Sequence, residues 1–336
     1  MIFKAIVMTC ACAVAFAQGT EAPTAEIDNG QLHLKLYLPD ATRGYYRGTR
    51  FDWSGAVYSL KWQGHEYYGP WFDKKAQNVR DFIYEGNEII VGPCSGTTGP
   101  VDEFGQIGFD AAKPGGTFLK IGVGALRKTA EPRYSGYQLY EIANGGKWTV
   151  RKRRDRIEFT QRLNDAESGY GYVYRKVMRL VPGKPEMVLE HGLKNIGRNT
   201  IDTTVYNHNF VILDGKAPGE GLTIETPFDI KSSKPPNAEL AQVSGKRIAY
   251  LKTLAGRDTV AGPIEGFGAG AGDHRFKIEN SKLGIGVSFE GDKPLDKIYL
   301  WSIRSVMSVE PFVAVKAEPG REFTWKATYR YYATAK

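Results

Sequence analysis

Cysteine is scarce in this sequence, with three residues among 336. Cys10 and Cys12 lie in the first apolar segment, so a chain cleaved after residue 17 would keep only Cys94. A single cysteine excludes an intramolecular disulfide and a cysteine-based metal site. Without disulfides, the chain must be stabilised by a hydrophobic core, and its length is sufficient for a large one.

Long apolar runs are also missing. After the first segment, no apolar run reaches the roughly 18 residues that a membrane-spanning helix needs. Residues 1–17, MIFKAIVMTCACAVAFA, combine a positive Lys4, an apolar stretch and the small-x-small sequence AFA. This pattern is typical of a cleavable export signal. We therefore expect a periplasmic or secreted protein with no transmembrane segment and a single domain over residues 18–336.

The helical periodicity of a bundle or a coiled coil is missing as well, and the 39 glycines and 17 prolines favour a turn-rich chain. Apolar and polar residues alternate with a period of two, which indicates half-buried strands. The segments are residues 31–38, 156–163, 170–180, 186–193, 221–228, 285–289, 297–301 and 323–332. The sequence predicts an all-β protein, a large antiparallel β-sandwich, with short helices only at residues 74–84 and 236–254.

Motifs for cofactor chemistry are absent. The sequence contains no Walker loop, no HExxH and no G-x-S-x-G, and its five histidines do not have metal-ligand spacing. The net charge of +8 is mild, and the basic run at residues 151–154 is typical of a strand edge. We therefore expect no metal, no cofactor and no nucleic-acid partner. Glycine-rich loops at residues 92–102 and 263–273 are predicted to flank a cleft.

Two polar residues in apolar surroundings are candidates for chemistry. His208 lies in VYNHNFV, and on a strand it points to the face opposite Asn207 and Asn209. Glu310 lies in SVMSVEPFV, and partial burial would raise its pKa toward the range of a general base. The alternatives to a chemical role are that His208 is a structural histidine and that Glu310 is paired with Arg304.

These segments together resemble the galactose mutarotase-like superfamily, which includes the aldose 1-epimerases. TVYNHNF is similar to the N-H-x-x-F segment that carries the family's catalytic acid, with the phenylalanine one place early. SVEPF, followed by PGREFTWKATYRY, is similar to the segment of the catalytic base, and GAVYSL to an early strand. The resemblance implies the family's large β-sandwich and an isomerase that interconverts sugar anomers, with His208 as acid and Glu310 as base.

Sugar recognition requires aromatic faces and planar hydrogen-bonding side chains around a groove. The predicted substrate-binding residues are Arg47, Arg50, Asp52, Asn207, Trp301 and Arg304. Many aldose epimerases have a second histidine in an H-G-F-type segment, whereas residues 106–109 read QIGF, which argues against an ordinary hexose. The arginines suit an acidic sugar such as a uronic acid, and the partner is predicted to be a monosaccharide or oligosaccharide. Two other functions stay open: a non-catalytic carbohydrate-binding sandwich, and a polysaccharide lyase or hydrolase.

Overall fold

Alternating apolar residues form strands along almost all of residues 21–333, the part of the chain that the computed structural model describes. The predicted export signal at residues 1–17 lies outside this part. The first strands in chain order are β1 (Thr24–Asp28), β2 (Leu32–Tyr37), β3 (Val57–Trp62), β4 (His65–Glu66), β5 (Lys74–Lys75), β6 (Phe82–Glu85), β7 (Glu88–Val91), β8 (Val101–Phe104), β9 (Thr117–Lys120), β10 (Gly124–Arg127), β11 (Ile142–Asn144) and β12 (Lys147–Lys152). The later strands are β13 (Arg156–Asp165), β14 (Tyr170–Leu180), β15 (Glu186–Asn195), β16 (Ile201–His208), β17 (Leu222–Glu225), β18 (Ala241–Ser244), β19 (Arg247–Tyr250), β20 (Thr259–Pro263), β21 (Arg275–Asn280), β22 (Ile285–Gly291), β23 (Lys297–Ile303), β24 (Val306–Ala317) and β25 (Glu322–Ala333).

Two large sheets organise these strands. The larger has ten antiparallel strands in the order β12-β13-β14-β15-β25-β22-β21-β17-β19-β18, and the second has five in the order β20-β23-β24-β16-β8. A four-stranded sheet, β1-β2-β3-β4, and two three-stranded sheets, β11-β10-β9 and β5-β7-β6, complete the described part. The prediction of an all-β antiparallel sandwich is confirmed, with one parallel pair, β5 with β7.

The main core lies between the ten-stranded sheet and the inner faces of the four- and five-stranded sheets. Strand β2 shows how the sequence builds it, since Leu32, Leu34 and Leu36 are fully buried and the residues between them are partly exposed. Leu189 on β15 and Val309 on β24 belong to the same apolar cluster. Each such side chain contributes about 1.5–3 kcal/mol by leaving water, so alternation along the strands determines how the sheets pack.

A second apolar cluster lies on the outer face of the five-stranded sheet. Irregular segments within residues 38–140 cover this face with large side chains, including Phe51, Trp71 and Tyr140, and β9 adds Phe118. They pack against Phe210, just after β16, and against the β23–β24 turn region. This cover leaves a cleft over the sheet, because loops do not seal a face as regularly as a second sheet does.

The two predicted helices are wrong. Residues 236–254 contain the hairpin of β18 and β19, in which Gly245 has φ +54°, a turn conformation that glycine adopts without strain. Residues 74–84 contain β5 and the start of β6, both paired with β7. The only helical segment in residues 21–333 is the 3₁₀ turn Ala271–Asp273. No helix in this part is long and apolar enough to span a membrane.

Candidate active site

Strands β16 and β24 are neighbours in the five-stranded sheet, and their register brings the two candidate residues together. Tyr206 on β16 is opposite Phe312 on β24, so two residues further along β16, His208 comes beside Glu310. The His208 Nε2 atom lies 3.1 Å from the Glu310 Oε1 atom, and the two side chains are 6% and 9% exposed. Antiparallel pairing therefore joins two groups that are about a hundred residues apart in sequence.

Burial acts in opposite directions on this pair, because it disfavours the charged form of each group. It lowers the pKa of His208 well below the usual value, and the nearby charge of Arg50 lowers it further. It raises the pKa of Glu310 to about 8, although Arg50 opposes the rise. Burial thus favours a neutral imidazole beside a protonated carboxyl, with one proton available to transfer. The His208 Nδ1 atom is buried and has no hydrogen-bond partner within residues 21–333.

An aromatic shell causes this desolvation. The Phe210 ring stacks on the His208 imidazole with ring centroids 3.6 Å apart, and Phe51 and Trp301 approach it edge-on at 5.6 and 5.5 Å. Phe210 has φ +42°, which bulky residues rarely adopt and which costs about 1–3 kcal/mol. Its ring also stacks on Trp71, at 5.7 Å between centroids, so packing on both faces holds the backbone there.

Arg50 supplies a fixed positive charge beside the pair. Its Nε atom donates to Glu103 at 2.7 Å, its Nη2 atom donates to the Tyr206 hydroxyl at 3.2 Å, and its guanidinium lies 4.8 Å from the centre of the Tyr137 ring. Burial alone would raise the pKa of Glu103, but Arg50 and the buried Lys120 outweigh it and lower the pKa. The ionised Glu103 therefore holds the guanidinium in place.

These residues line a cleft of about 100 Å³, here called the inner cleft. Its lining consists of Arg50, Phe51, Trp71, Asp81, Phe82, Ser95, Tyr137, His208, Phe210, Tyr299, Trp301 and Glu310. Tyr137 and Tyr299 are 41% and 39% exposed, which is high for such large side chains. The inner cleft thus places an acid–base pair beneath aromatic faces, as ligand pockets commonly do.

The predicted substrate-binding residues Arg50 and Trp301 line the inner cleft, whereas Arg47 and Arg304 do not. Arg47 is exposed in a different cleft, where its Nη1 atom donates to the Thr42 carbonyl at 2.8 Å. Arg304 donates to the Gly256 and Asn87 carbonyls at 2.6 and 2.8 Å, so its charge holds loops together. The alternative pairing of Arg304 with Glu310 is therefore not observed.

Asp52 and Asn207 lie on the other side of the five-stranded sheet, inside the sandwich. Asn207 Nδ2 donates to Asp102 Oδ1 at 2.5 Å, whereas its neighbour His208 faces the inner cleft. This confirms that His208 points to the face opposite Asn207. Asn209 likewise contacts the interior, where it accepts a hydrogen bond from the Tyr329 hydroxyl at 2.8 Å.

Asn207 contacts a group of buried ionisable residues, here called the Asp102 cluster: Asp52, Asp102, Lys176 and His191. Lys176 Nζ lies 2.7 Å from Asp102 and 3.7 Å from Asp52, and His191 Nε2 lies 3.1 Å from Asp102. Burial alone would raise the pKa of Asp102, but Lys176 and His191 lower it well below its usual value. Within residues 21–333, no group of three or more histidine, cysteine or acidic residues is arranged to hold a metal ion.

Sequence reasoning missed most of the inner cleft. Trp71, Asp81, Phe82 and Tyr137 lie in covering segments whose course depends on tertiary packing, and no motif or period marks them. The loop at residues 92–102, predicted to flank a cleft, does contribute Ser95, whereas residues 263–273 contribute none of the lining.

The loop that carries Ser95 also holds Cys94, which is fully buried and free. Its carbonyl accepts a hydrogen bond from the Tyr46 hydroxyl at 2.8 Å, and burial raises the pKa of its thiol. Residues 106–109, which read QIGF without a histidine, do not line the inner cleft either. Ile107 and Phe109 are buried, and Ile107 pairs with Leu119.

Comparison with solved structures identifies the architecture. A GalM/aldose epimerase homologue from C. elegans is 14% identical, with 94% of this chain and 100% of that chain covered and a TM-score of 0.54. A protein from Synechocystis gives 14% identity, coverage of 97% and 100%, and a TM-score of 0.53. The chain has the galactose mutarotase-like fold. A galactose mutarotase related enzyme from Lactobacillus acidophilus shares this fold at 13% identity, coverage of 93% and 98%, and a TM-score of 0.51. No protein-family model and no curated protein matches the chain.

At such low identity the likeness shows the galactose mutarotase-like fold and leaves the chemistry to the residues. Those residues are His208 and Glu310, held 3.1 Å apart at the base of the inner cleft. The segments that carry the resemblance in sequence are thus the segments that form the buried pair.

Proposed function

We propose that this protein is an aldose 1-epimerase-type isomerase that interconverts the α and β anomers of a sugar. The observation that carries the proposal is the buried His208–Glu310 pair, with one proton between two groups of oppositely shifted pKa. Pairs of titratable groups whose environments separate their pKa values in this way are typical of acid–base sites. The solved structures of the same fold that are named as aldose epimerase or mutarotase proteins support the same reaction.

The reaction requires one proton removed from the C1 hydroxyl and one delivered to the ring oxygen. The bond between C1 and the ring oxygen breaks, the C1 oxygen becomes the aldehyde oxygen, and the aldehyde rotates about the C1–C2 bond. Reclosure reverses both proton transfers, so each group acts once as acid and once as base. Both oxygens are attached to C1, and two neighbouring groups such as His208 and Glu310 therefore reach them together.

We assign Glu310 as the base toward the C1 hydroxyl and His208 as the acid toward the ring oxygen. In the free protein the proton resides on Glu310, because burial raises its pKa to about 8. A bound sugar brings hydroxyl donors into the inner cleft, and such donors stabilise the carboxylate form. The proton then passes to His208 across the 3.1 Å contact, which gives the carboxylate and imidazolium that ring opening requires.

Recognition of the sugar is assigned to the remaining lining. Arg50 keeps guanidinium N–H groups beside the pair, while Tyr137, Tyr299 and Trp301 offer ring faces for the apolar side of a sugar. A fixed guanidinium suits hydroxyl or carboxylate oxygens. With the export signal predicted at residues 1–17, we place the reaction in the periplasm or outside the cell.

Proton NMR of freshly dissolved pure anomers tests the proposal. Neutral hexoses, pentoses and uronic acids are followed in weakly catalytic buffer with the wild type, His208→Gln and Glu310→Gln. We expect the wild type to accelerate equilibration of at least one sugar class, and each variant to lose about 10²–10⁴-fold of that rate, the usual contribution of a general acid or base.

Two matched substitutions control this experiment. His65→Gln removes a histidine that is paired with Asp214 at 2.8 Å, and Glu225→Gln removes a strand glutamate that is partly exposed, both outside the inner-cleft lining. Both controls are expected to retain the wild-type rate. The proposal is wrong if no sugar equilibrates faster with the wild type. Sugar binding without acceleration would instead indicate a carbohydrate-binding sandwich.

A further inference from the structure

Two larger clefts adjoin the inner cleft on the loop-covered face, each sharing lining residues with its neighbour. The middle cleft, of about 520 Å³, shares Tyr137 with the inner cleft. The outer cleft, of about 630 Å³, shares Gln77, Pro93 and Leu139 with the middle cleft. Each has the volume of a typical small-molecule site and is several times larger than the inner cleft. A single sugar at His208 and Glu310 would leave both unused.

Cationic groups dominate the two added clefts. The middle cleft is lined by Arg80 and Arg133 against one acidic residue, Glu131, and all three are exposed. The outer cleft is lined by Arg47 and Lys75 and has no acidic residue in its lining. Clefts of one sign of charge attract ligands of the opposite sign. This distribution therefore favours an anionic ligand along the clefts.

Lys75 has no carboxylate partner in the lining of the outer cleft. The ammonium group donates to the Tyr45 carbonyl at 2.7 Å and lies 3.6 Å from the centre of the Tyr45 ring. Partial burial there, together with the neighbouring Arg47, lowers the pKa of Lys75 to about 8. Two cations held near each other without a carboxylate form a site for an acidic group supplied by a ligand.

Aromatic and apolar side chains accompany the charges in parts of these clefts. Tyr137 and Leu139 are 41% and 48% exposed at the two junctions between clefts. Trp148 lines the outer cleft, as does Tyr45, whose ring is covered by Tyr37, with centroids 3.9 Å apart, and by the Lys75 ammonium. Fixed aromatic faces combined with hydrogen-bonding cations suit a chain of sugar rings that carry carboxylates.

We propose that the three clefts form one groove that binds an acidic oligosaccharide, a chain of uronic acid residues, with its reducing end at His208 and Glu310. The groove stands on the arrangement of the clefts, while the position of the reducing end rests on the proposed function. Arg47 and Lys75 bind a carboxylate several sugar residues away from the reacting end.

Isothermal titration calorimetry with defined sugars tests the groove. The probes are galacturonic acid, tetragalacturonate, tetramannuronate and neutral cellotetraose. We expect one acidic tetramer to bind at least about tenfold more tightly than galacturonic acid and cellotetraose, since hydrogen bonds to charged groups are among the stronger ones. The double variant Arg47→Gln, Lys75→Gln is expected to reduce the ratio of tetramer to monomer affinity by about tenfold.

Lys74→Gln is the matched control, because Lys74 is adjacent in sequence but pairs with Glu88 at 2.7 Å and lines none of the clefts. It is expected to keep the wild-type ratio. The groove is disproved if neither acidic tetramer binds more tightly than galacturonic acid, or if the double variant keeps the full preference.

The NMR assay on the same samples separates this inference from the proposed function. Tight tetramer binding that depends on Arg47 and Lys75, without anomeric exchange of any sugar, would support the groove and contradict the isomerase. Exchange of free sugars without any preference for the tetramers would support the isomerase and contradict the groove. Unsaturated products from the tetramers, detected by ultraviolet absorbance, would indicate a lyase in the same groove and would contradict the isomerase.

Discussion

The two faces of β16 carry buried ionisable groups that differ in how completely they are paired. On the inner face, the carboxylates of the Asp102 cluster are bonded by Lys176, His191, Asn207 and Tyr174. On the outer face, His208 and Glu310 contact each other, and His208 Nδ1 has no partner within residues 21–333. His191 Nδ1 of the Asp102 cluster is also unpartnered within residues 21–333, so the two faces differ in their carboxylates. The inner carboxylates are held by the buried Lys176 cation and stabilise the fold, whereas Glu310 borders a cleft, where an acid–base pair is able to exchange protons with a ligand.

The largest effect that separates the two faces is expected from Lys176→Met. This substitution leaves the Asp102 and Asp52 carboxylates buried without their cation, and breaking a buried ion pair in this way costs about 3–5 kcal/mol. Urea denaturation measures the free energy of unfolding. Arg175→Gln is the matched control on the same strand, since its partner Glu158 is on the solvent side and such pairs contribute about 0–1 kcal/mol.

Equal stability of Lys176→Met and Arg175→Gln would remove the distinction between the two faces. A large loss of stability with Lys176→Met alone would show that the inner-face charges are structural elements of the sandwich.

An intermediate effect is expected in the pH dependence of stability. The pKa of Glu310 is raised to about 8 in the folded protein, so the folded state binds more protons than the unfolded state and stability falls as pH rises toward 8. His208 has a lowered folded pKa, which increases stability as pH rises, but only up to its unfolded value of about 6.5. Between about pH 6.5 and 8 the contribution of His208 is therefore nearly constant, whereas that of Glu310 falls by ~2 kcal/mol.

Urea denaturation at several pH values in this window compares the wild type with Glu310→Gln. We expect the decline to be present in the wild type and absent in the variant. A parallel decline in both proteins would assign it to other groups and would place Glu310 among the paired charges.

An effect of comparable size is expected from Asn207→Ala. Asn207 was predicted to bind sugar, but its amide donates to Asp102 on the inner face. Loss of one hydrogen bond to a charged group costs about 1.5–3 kcal/mol of stability. We expect thermal unfolding to shift while the KM for the sugar stays close to that of the wild type. A raised KM with unchanged stability would return Asn207 to the list of sugar contacts.

Strand positions and the faces of strand side chains depend on local sequence pattern, and they were predicted well. The strand at residues 170–180 coincides with β14, and the segments around His208 and Glu310 form neighbouring strands. The alternation of Asn207 and His208 between two faces also follows from strand geometry alone. Long strands are predictable because each side chain's burial is fixed by its position in the period.

The positions of side chains in the irregular covering segments were not predictable from the sequence. Arg47 and Arg50 are three residues apart, yet only Arg50 reaches the inner cleft, because no period relates residues in a loop. Asp52 points into the sandwich for the same reason, where the Tyr174 hydroxyl donates to it at 3.0 Å. Tyr137, at the junction of two clefts, belongs to a segment without any strand pattern.

Labelling of the Cys94 thiol can be used to follow opening of the loops that cover the five-stranded sheet. A chain without residues 1–17 contains this thiol alone, and it is fully buried under the same loops that form the inner cleft. A thiol-specific reagent reaches it only when those loops open, so the rate of labelling measures local opening of the cover while the sheets stay folded. Ligands that close the groove would slow the labelling, which provides a way to screen sugars without any assay of turnover.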